Sequence, residues 1–314
     1  MHIGIDMMGG DFAPAATVQG VLLAAEELKS KANLVLIGNE RIIREEFTTH
    51  GLSADAFTIV DAQSVIEMGE HPARAFTQKT DSSIAIGFQL LKEGKIQAFA
   101  GAGNTGAMLV GSVLSIGTIE GVQRPCIMSL MPKEKGGYGI LLDVGSNADC
   151  KPELLVQFAY LGSMYAANVL GIENPKVGLI NIGEEPEKGN QLALATHQLL
   201  TDASEINFIG NIEGRDLFNQ KADVMVCDGF TGNVMLKQAE AFYWLIRKRE
   251  IADPYLNSFN YENYGGTPIL GVNSTVIVGH GISNKIAIKN MIKLAYDVER
   301  AGLTEKIKAV LQHD

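Results

Sequence analysis

The chain has few cysteines, no basic surplus and no readable catalytic triad, and each shortage removes a class of protein. Cys126, Cys150 and Cys227 lie far apart with no paired spacing, so neither a disulfide framework nor a zinc site is suggested. A formal net charge of −10 over 314 residues argues against a nucleic-acid surface or a general anionic-membrane surface, either of which needs a broad basic face. An anionic ligand stays open wherever lysine or arginine is supplied locally. The N-terminus carries no basic segment followed by an apolar core, so no signal peptide is expected. Internal repeats and low-complexity linkers are absent too. The six histidines are scattered, and neither a Ser-His-Asp nor a Cys-His arrangement can be read. The expectation is a soluble cytoplasmic chain with a sizeable core, as a single domain over 1–314 or two lobes around a cleft.

What is present is an alternation of strands and helices, which predicts an α/β fold with a mostly parallel sheet and helices on both faces. Strands are read at Ile3 to Asp6, Leu34 to Ile37, Phe57 to Val60 and from Ala98. A helix opens near Pro14, and another runs from an Asp81 cap to about Lys92. Cys126–Leu130 and Tyr138–Asp143, split by Gly136-Gly137, read as an antiparallel pair. Pro152 opens a long helix to about Leu170. Val177–Ile180, Phe208–Gly210, Val224–Cys227 and Ser274–Val278 are later strands, and Ser283 starts a closing helix. Ile96 to Ile119 carries no charge and is long enough to span a bilayer, but its five glycines and its hydroxyl and amide residues favour a buried strand plus helix.

That uncharged segment contains Ala98 to Val110, the stretch on which the chain is organised. Its glycines permit close backbone approach, and Thr105 is a candidate cap for the helix that follows, whose first N–H groups would make an anion seat. Gly101, Gly103 and Gly106 also spell G-x-G-x-x-G. A dinucleotide site would need an acid at the end of the next strand, which instead runs into Met131-Pro132-Lys133. Six strands carry polar and glycine clusters at their carboxyl ends. These are Asp6 with Gly9, Gly10 and Asp11; Gly101 to Gly106; Asp143 with Asn147; Asn181 to Asn190; Asp228 to Asn233; and Gly279 to Asn284 with His280. Ligands of such sheets bind beyond the carboxyl ends of the strands, so a cleft is expected there. Cys150 and Cys227 flank clusters and could form a thioester intermediate, although a cysteine in an apolar run is more often a small buried hydrophobe. Asp143, Asp149 and Glu184 match no metal-ligand spacing.

An ordered set of motifs then resembles one family. Asp6-Met-Met-Gly-Gly-Asp11, Gly101-Ala-Gly-Asn-Thr-Gly106, Leu155-Val-Gln-Phe158, Asn181-Ile-Gly-Glu-Glu185 with Lys188-Gly-Asn190, and Phe208-Ile-Gly-Asn211 with Glu213-Gly-Arg-Asp216 come first. Cys227-Asp-Gly-Phe-Thr-Gly-Asn233 and Tyr264-Gly-Gly266 with Leu270-Gly-Val272 follow. Together they are similar to the bacterial acyl-acyl-carrier-protein:phosphate acyltransferases, the PlsX family, over nearly the whole chain. The resemblance implies a three-layer α/β/α homodimer, with the fold of phosphate acetyltransferases and of the isocitrate and isopropylmalate dehydrogenases. It implies transfer of a fatty acyl group from acyl carrier protein to inorganic phosphate, for phospholipid synthesis, with no cofactor and no metal. An NAD-dependent hydroxy-acid dehydrogenase of related fold and a non-catalytic scaffold for lipid enzymes are the competing readings.

In that reaction phosphate attacks a thioester carbonyl and a thiolate leaves, so positioning and charge stabilisation are the main requirements. Lys188 is expected to neutralise phosphate and developing charge, and Asn233 to donate to the carbonyl oxygen. Substrate contacts are expected from Asp6, Gly9, Gly10, Asp11, Gly103, Asn104, Thr105, Gly106, Asp143, Asn147, Glu184, Asn190, Asp228 and His280. An acidic carrier needs a local basic surface, for which Arg247-Lys248-Arg249 or Lys285 with Lys289 are candidates. Residues 238–262 depart from the family's usual long helical excursion. Ala241 to Ile246 is wholly apolar, so some of Phe242, Tyr243, Trp244 and Leu245 should pack on a partner or on the inner face of the membrane.

Overall fold

The computed structural model describes residues 1–311, which divide into two compact units. In chain order the elements begin with β1 (His2–Asp6), α1 (Ala15–Leu28), β2 (Asn33–Gly38), α2 (Glu40–Thr49) and β3 (Thr58–Asp61). Next come α3 (Pro72–Gln78), α4 (Ser83–Lys92), β4 (Ala98–Gly101) and α5 (Thr105–Gly111). β5 (Cys126–Pro132), β6 (Tyr138–Leu142), α6 (Pro152–Asn168), β7 (Val177–Ile180), α7 (Gln191–Asp202) and β8 (Phe208–Ile212) follow. The last are β9 (Val224–Val226), α8 (Gly229–Lys248), α9 (Pro254–Asn257), β10 (Thr267–Leu270), β11 (Thr275–Val278), α10 (Lys285–Arg300) and α11 (Leu303–Leu311).

The first unit takes Met1–Ile119 and Tyr261–Thr304. Its strands lie in the order β3-β2-β1-β4-β11-β10, parallel except for β10, which runs antiparallel to β11. Ile3, Ile5, Leu36, Ile37, Phe99 and Ile277 are fully buried, the continuous apolar pattern of strands covered on both faces. Phe88 of α4 meets Phe99 of β4 edge-on at 5.2 Å, and Gly20 lets α1 close onto Ile288 of α10. Ile96 to Ile119 folds as β4, a buried turn and a helix. Among the described residues no helix is long and apolar enough to cross a membrane.

The second unit takes Glu120–Asn260 and the C-terminal stretch from Glu305. Its strands lie in the order β5-β6-β9-β7-β8, with β5 and β6 antiparallel and the other pairs parallel. Gly136 and Gly137 turn that hairpin at φ of 91° and 77°, a region only glycine enters cheaply. Phe158 and Tyr165 of α6 fill the core beneath β6 and β9.

Several boundaries differ from the sequence expectation for a local reason. Ser82, not Asp81, caps α4, because the Asp81 carboxylate accepts from Ser64. Asn284, not Ser283, begins the closing helix, accepting from the amides of Ile286 and Ala287. The cap of α5 is Asn104; Thr105 is its first residue. β10 was not foreseen, since Pro268 obscures its short strand pattern.

Candidate active site

Three of the six polar clusters stand together in the first unit, at the carboxyl ends of the adjacent parallel strands β1, β4 and β11. Asp6 is buried there, with its Oδ1 accepting from Met8 N–H at 3.0 Å. Burial pushes its carboxyl above the ordinary value, outweighing the Met8 hydrogen bond that pulls it down. A side chain at Gly9 would run into Asp6 Oδ2 and fall 2.6 Å from Gly103 N, so the first turn can close on the second only because Gly9 lacks a Cβ. A side chain at Gly10 would lie 3.2 Å from the Gly281 carbonyl oxygen, and Asp11 N–H donates to that carbonyl at 2.7 Å. Gly106 packs on Pro72.

Asn104 is spent on structure. Its Oδ1 accepts from Ala107 N–H at 3.0 Å, while Nδ2 donates to the carbonyls of Glu67, Met68 and Glu70 at 3.0, 3.3 and 3.1 Å. Gly101 to Asn104 are buried, and Thr105 is the first residue of that turn to reach solvent. Asp11 is exposed as well, and the ring of the half-buried His280 lies 5.3 Å from that of Tyr261.

The other three clusters stand together in the second unit, where β6, β9 and β7 are adjacent and parallel. Asp143 is fully buried; its oxygens accept from the amides of Ile127, Ser146 and Asn147, the Ser146 hydroxyl and the Asn147 side chain. Asn147 also donates to the Pro125 carbonyl. Asp228 caps α8 through Thr231, and Asn190 caps α7 through Ala193 N–H at 2.8 Å. Glu184 is held by Lys221 at 2.8 Å and Arg215 at 3.4 Å; the Lys221 hydrogen bond draws its carboxyl below the ordinary value.

Lys188 and Asn233 differ from these neighbours. The Asn181 side chain donates to the Lys188 carbonyl at 3.0 Å, and the buried Asn211 donates to the Glu185 carbonyl at 2.8 Å, so two amides set the turn. The Lys188 ammonium itself is exposed, and among the described residues no carboxylate pairs with it. The acidic run before it is therefore not balanced by Lys188, since Glu184 already has two other cations. Asn233 sits inside α8 and is not a helix cap, as Asp228 takes that place. It lies beside Gly145, exposed, and its amide makes no hydrogen bond among the described residues. Asn181 and Asn211 are the positioning residues that motif reading passed over. Both stand at strand ends within motifs that carried the resemblance.

The cysteines are poor nucleophiles. Burial pushes the Cys126 and Cys227 thiols well above their usual value, and Cys150 is pushed up to about 11, chiefly by burial and then by Asp143. At the end of α8, Tyr243 is buried, whereas Phe242, Trp244 and Leu245 are each more than half exposed. The chain then turns back through α9, where the Tyr255 hydroxyl reaches the Pro132 carbonyl and Phe259 meets Phe218 at 5.0 Å. Lys289 shares Glu27 with Lys293, so of the two basic candidates only Arg247-Lys248-Arg249 is without ion pairs among the described residues.

This architecture is found in a phosphotransacetylase and in a 4-hydroxythreonine-4-phosphate dehydrogenase. The EutD phosphotransacetylase from Staphylococcus aureus superposes with a TM-score of 0.65 at 15% identity, covering 95% of this chain and 94% of that one. A 4-hydroxythreonine-4-phosphate dehydrogenase from Klebsiella pneumoniae superposes at 0.59 and 15% identity, covering 95% and 98%. These likenesses show the fold. The phosphate acyltransferase of Desulfitobacterium hafniense (strain DSM 10664 / DCB-2) is 44% identical over 331 aligned positions, covering 99% of this chain and 98% of the relative. That alignment is longer than the chain, so the relative carries residues with no counterpart here. Residues 1–306 match the model of the fatty acid synthesis protein family, and the chain belongs to that family. It is an acyltransferase.

Proposed function

We propose that the protein transfers a fatty acyl group from acyl carrier protein to inorganic phosphate, giving an acyl phosphate for phospholipid synthesis. One observation carries the assignment of roles. At the polar edge of the second unit Asp143, Asn147, Glu184, Asn190 and Asp228 are engaged by their neighbours, while Lys188 and Asn233 keep their donors unspent. Lys188 neutralises phosphate and the charge that develops on the tetrahedral oxygen. Asn233 donates to that oxygen. Phosphate is already an anionic nucleophile and the thiolate leaves as an anion, so neither step calls on a protein nucleophile, in keeping with the raised cysteine thiols. In the first unit Asp11, Thr105 and His280 are the polar groups assigned to substrate contact. Arg247, Lys248 and Arg249 meet the acidic carrier, and the adjoining Phe242, Trp244 and Leu245 supply peripheral contact with a second copy or with the inner face of the membrane.

The test is phosphate-dependent loss of acyl carrier protein thioester. The reading requires consumption that saturates with phosphate and does not need nicotinamide. Thioester loss that is independent of phosphate would overturn it.

A further inference from the structure

We propose that a cavity in the second unit is the seat of the acyl chain, an inference that rests on the acyl-transfer reading and names where the chain goes. The cavity holds about 550 Å³, within the range of small-molecule sites. Its apolar walls come from Leu155 of α6, Leu179 of β7, Ile182, Leu192 and Ala193 at the start of α7, and Met235 of α8. Leu155 and Leu179 are almost wholly buried and form its inner end; Ile182, 81% exposed, stands at the rim. An isoleucine left that open beside an apolar hollow is costly unless something apolar covers both.

Three features select an unbranched aliphatic chain as that occupant. The walls are aliphatic apart from the Met235 thioether and the Cys227 thiol, with no aromatic ring to favour a planar ligand, and Met235 can adapt to chains of different length. The polar lining is confined to amide, hydroxyl and carboxylate groups already engaged in capping or turn hydrogen bonds, namely Asn181, Asn190, Asp228 and Thr231. No cation lines the cavity, so it does not suit a free carboxylate or phosphate head. Finally, Gly189 lines the cavity immediately after Lys188, which places the reacting end of a seated chain at the turn carrying the proposed catalytic ammonium.

The experiment compares donors on wild type and on two variants that fill the cavity from different walls, Ala193→Phe and Met235→Trp. The donors are butyryl-, octanoyl- and palmitoyl-acyl carrier protein. With wild type, kcat/KM should rise with chain length by up to about fourfold per methylene buried, then level off. In each variant the palmitoyl-to-butyryl ratio of kcat/KM should fall by at least about fifteenfold, the equivalent of two methylenes left outside. A general folding defect lowers both donors together and leaves the ratio unmoved, and an unmoved ratio in both variants overturns the proposal. Binding of a fluorescent long-chain fatty acyl amide, which has no charged head, retained by wild type and lost in both variants, tests the seat apart from turnover. Should wild type transfer no acyl group to phosphate while that binding behaves as expected, the functional reading fails and the seat stands; equal binding by wild type and variants sinks the seat.

Discussion

The turn after β4 and the turn after β7 look alike in sequence, each with glycine and asparagine between an apolar strand and a helix, yet they are used differently. In Gly101-Ala-Gly-Asn104 the glycines admit another backbone, that of Gly9, and every polar atom of the Asn104 side chain is committed to the fold. In Asn181 to Asn190 the asparagines at either end, Asn211 beside them and Glu184 are committed, while Lys188 is left open. Glycine and asparagine at a strand end thus mark a tightly built turn; an uncommitted donor inside it marks where chemistry is available.

The largest expected effect separates the two turns by function. Lys188→Ala and Asn233→Ala should each lower turnover about a hundred- to a thousandfold with melting temperature unchanged, as for loss of an oxyanion donor. Near-normal turnover in either variant removes that residue from the mechanism. Next in size, Gly9→Val should destabilise the protein by about 3 kcal/mol, because its side chain meets Asp6 and the Gly103 backbone. Chemical denaturation would show this as a lower midpoint. Smaller still, Asn104→Ala should cost about 1 to 2 kcal/mol of stability through loss of its cap, leaving turnover per folded molecule intact.

How much of this was legible in the sequence follows from the kind of signal each feature leaves. The alternation of apolar runs placed every strand except β10, and the antiparallel β5–β6 pair was readable from Gly136-Gly137 because a turn writes its requirement locally. Caps were less legible: Asp81 and Ser82, or Ser283 and Asn284, are both good caps, and which one serves depends on a distant partner such as Ser64. The polar strand ends were visible as six clusters, but their division into three and three needs strand order, which residue spacing does not carry. Nor could composition tell spent side chains from free ones. Asn104 and Lys188 both looked available until Glu67, Met68 and Glu70 were seen to occupy the first.

Two further predictions concern groups expected to matter little. Cys150→Ser should leave turnover unchanged, and no acyl-enzyme should accumulate on rapid quenching, because a thiol pushed up to about 11 is protonated at neutral pH. A trapped thioester on Cys150 would contradict this. Glu184→Gln should lower stability slightly at neutral pH and not at all in acid. The Lys221 bond lowers the folded-state value beneath the ordinary 4.5, so its contribution is present above that value and fades as pH falls through the lowered one. Thermal melts of both proteins across acid pH would show the two curves converging.

The contrast between a spent turn and an open one is tested most directly by measuring phosphate-dependent acyl-thioester consumption and thermal unfolding together for Lys188→Ala and Asn104→Ala. The account predicts that Lys188→Ala melts like wild type with turnover about a hundredfold or more lower, and that Asn104→Ala melts earlier with turnover per folded molecule retained. The reverse pattern, with turnover lost in Asn104→Ala and kept in Lys188→Ala, would contradict it.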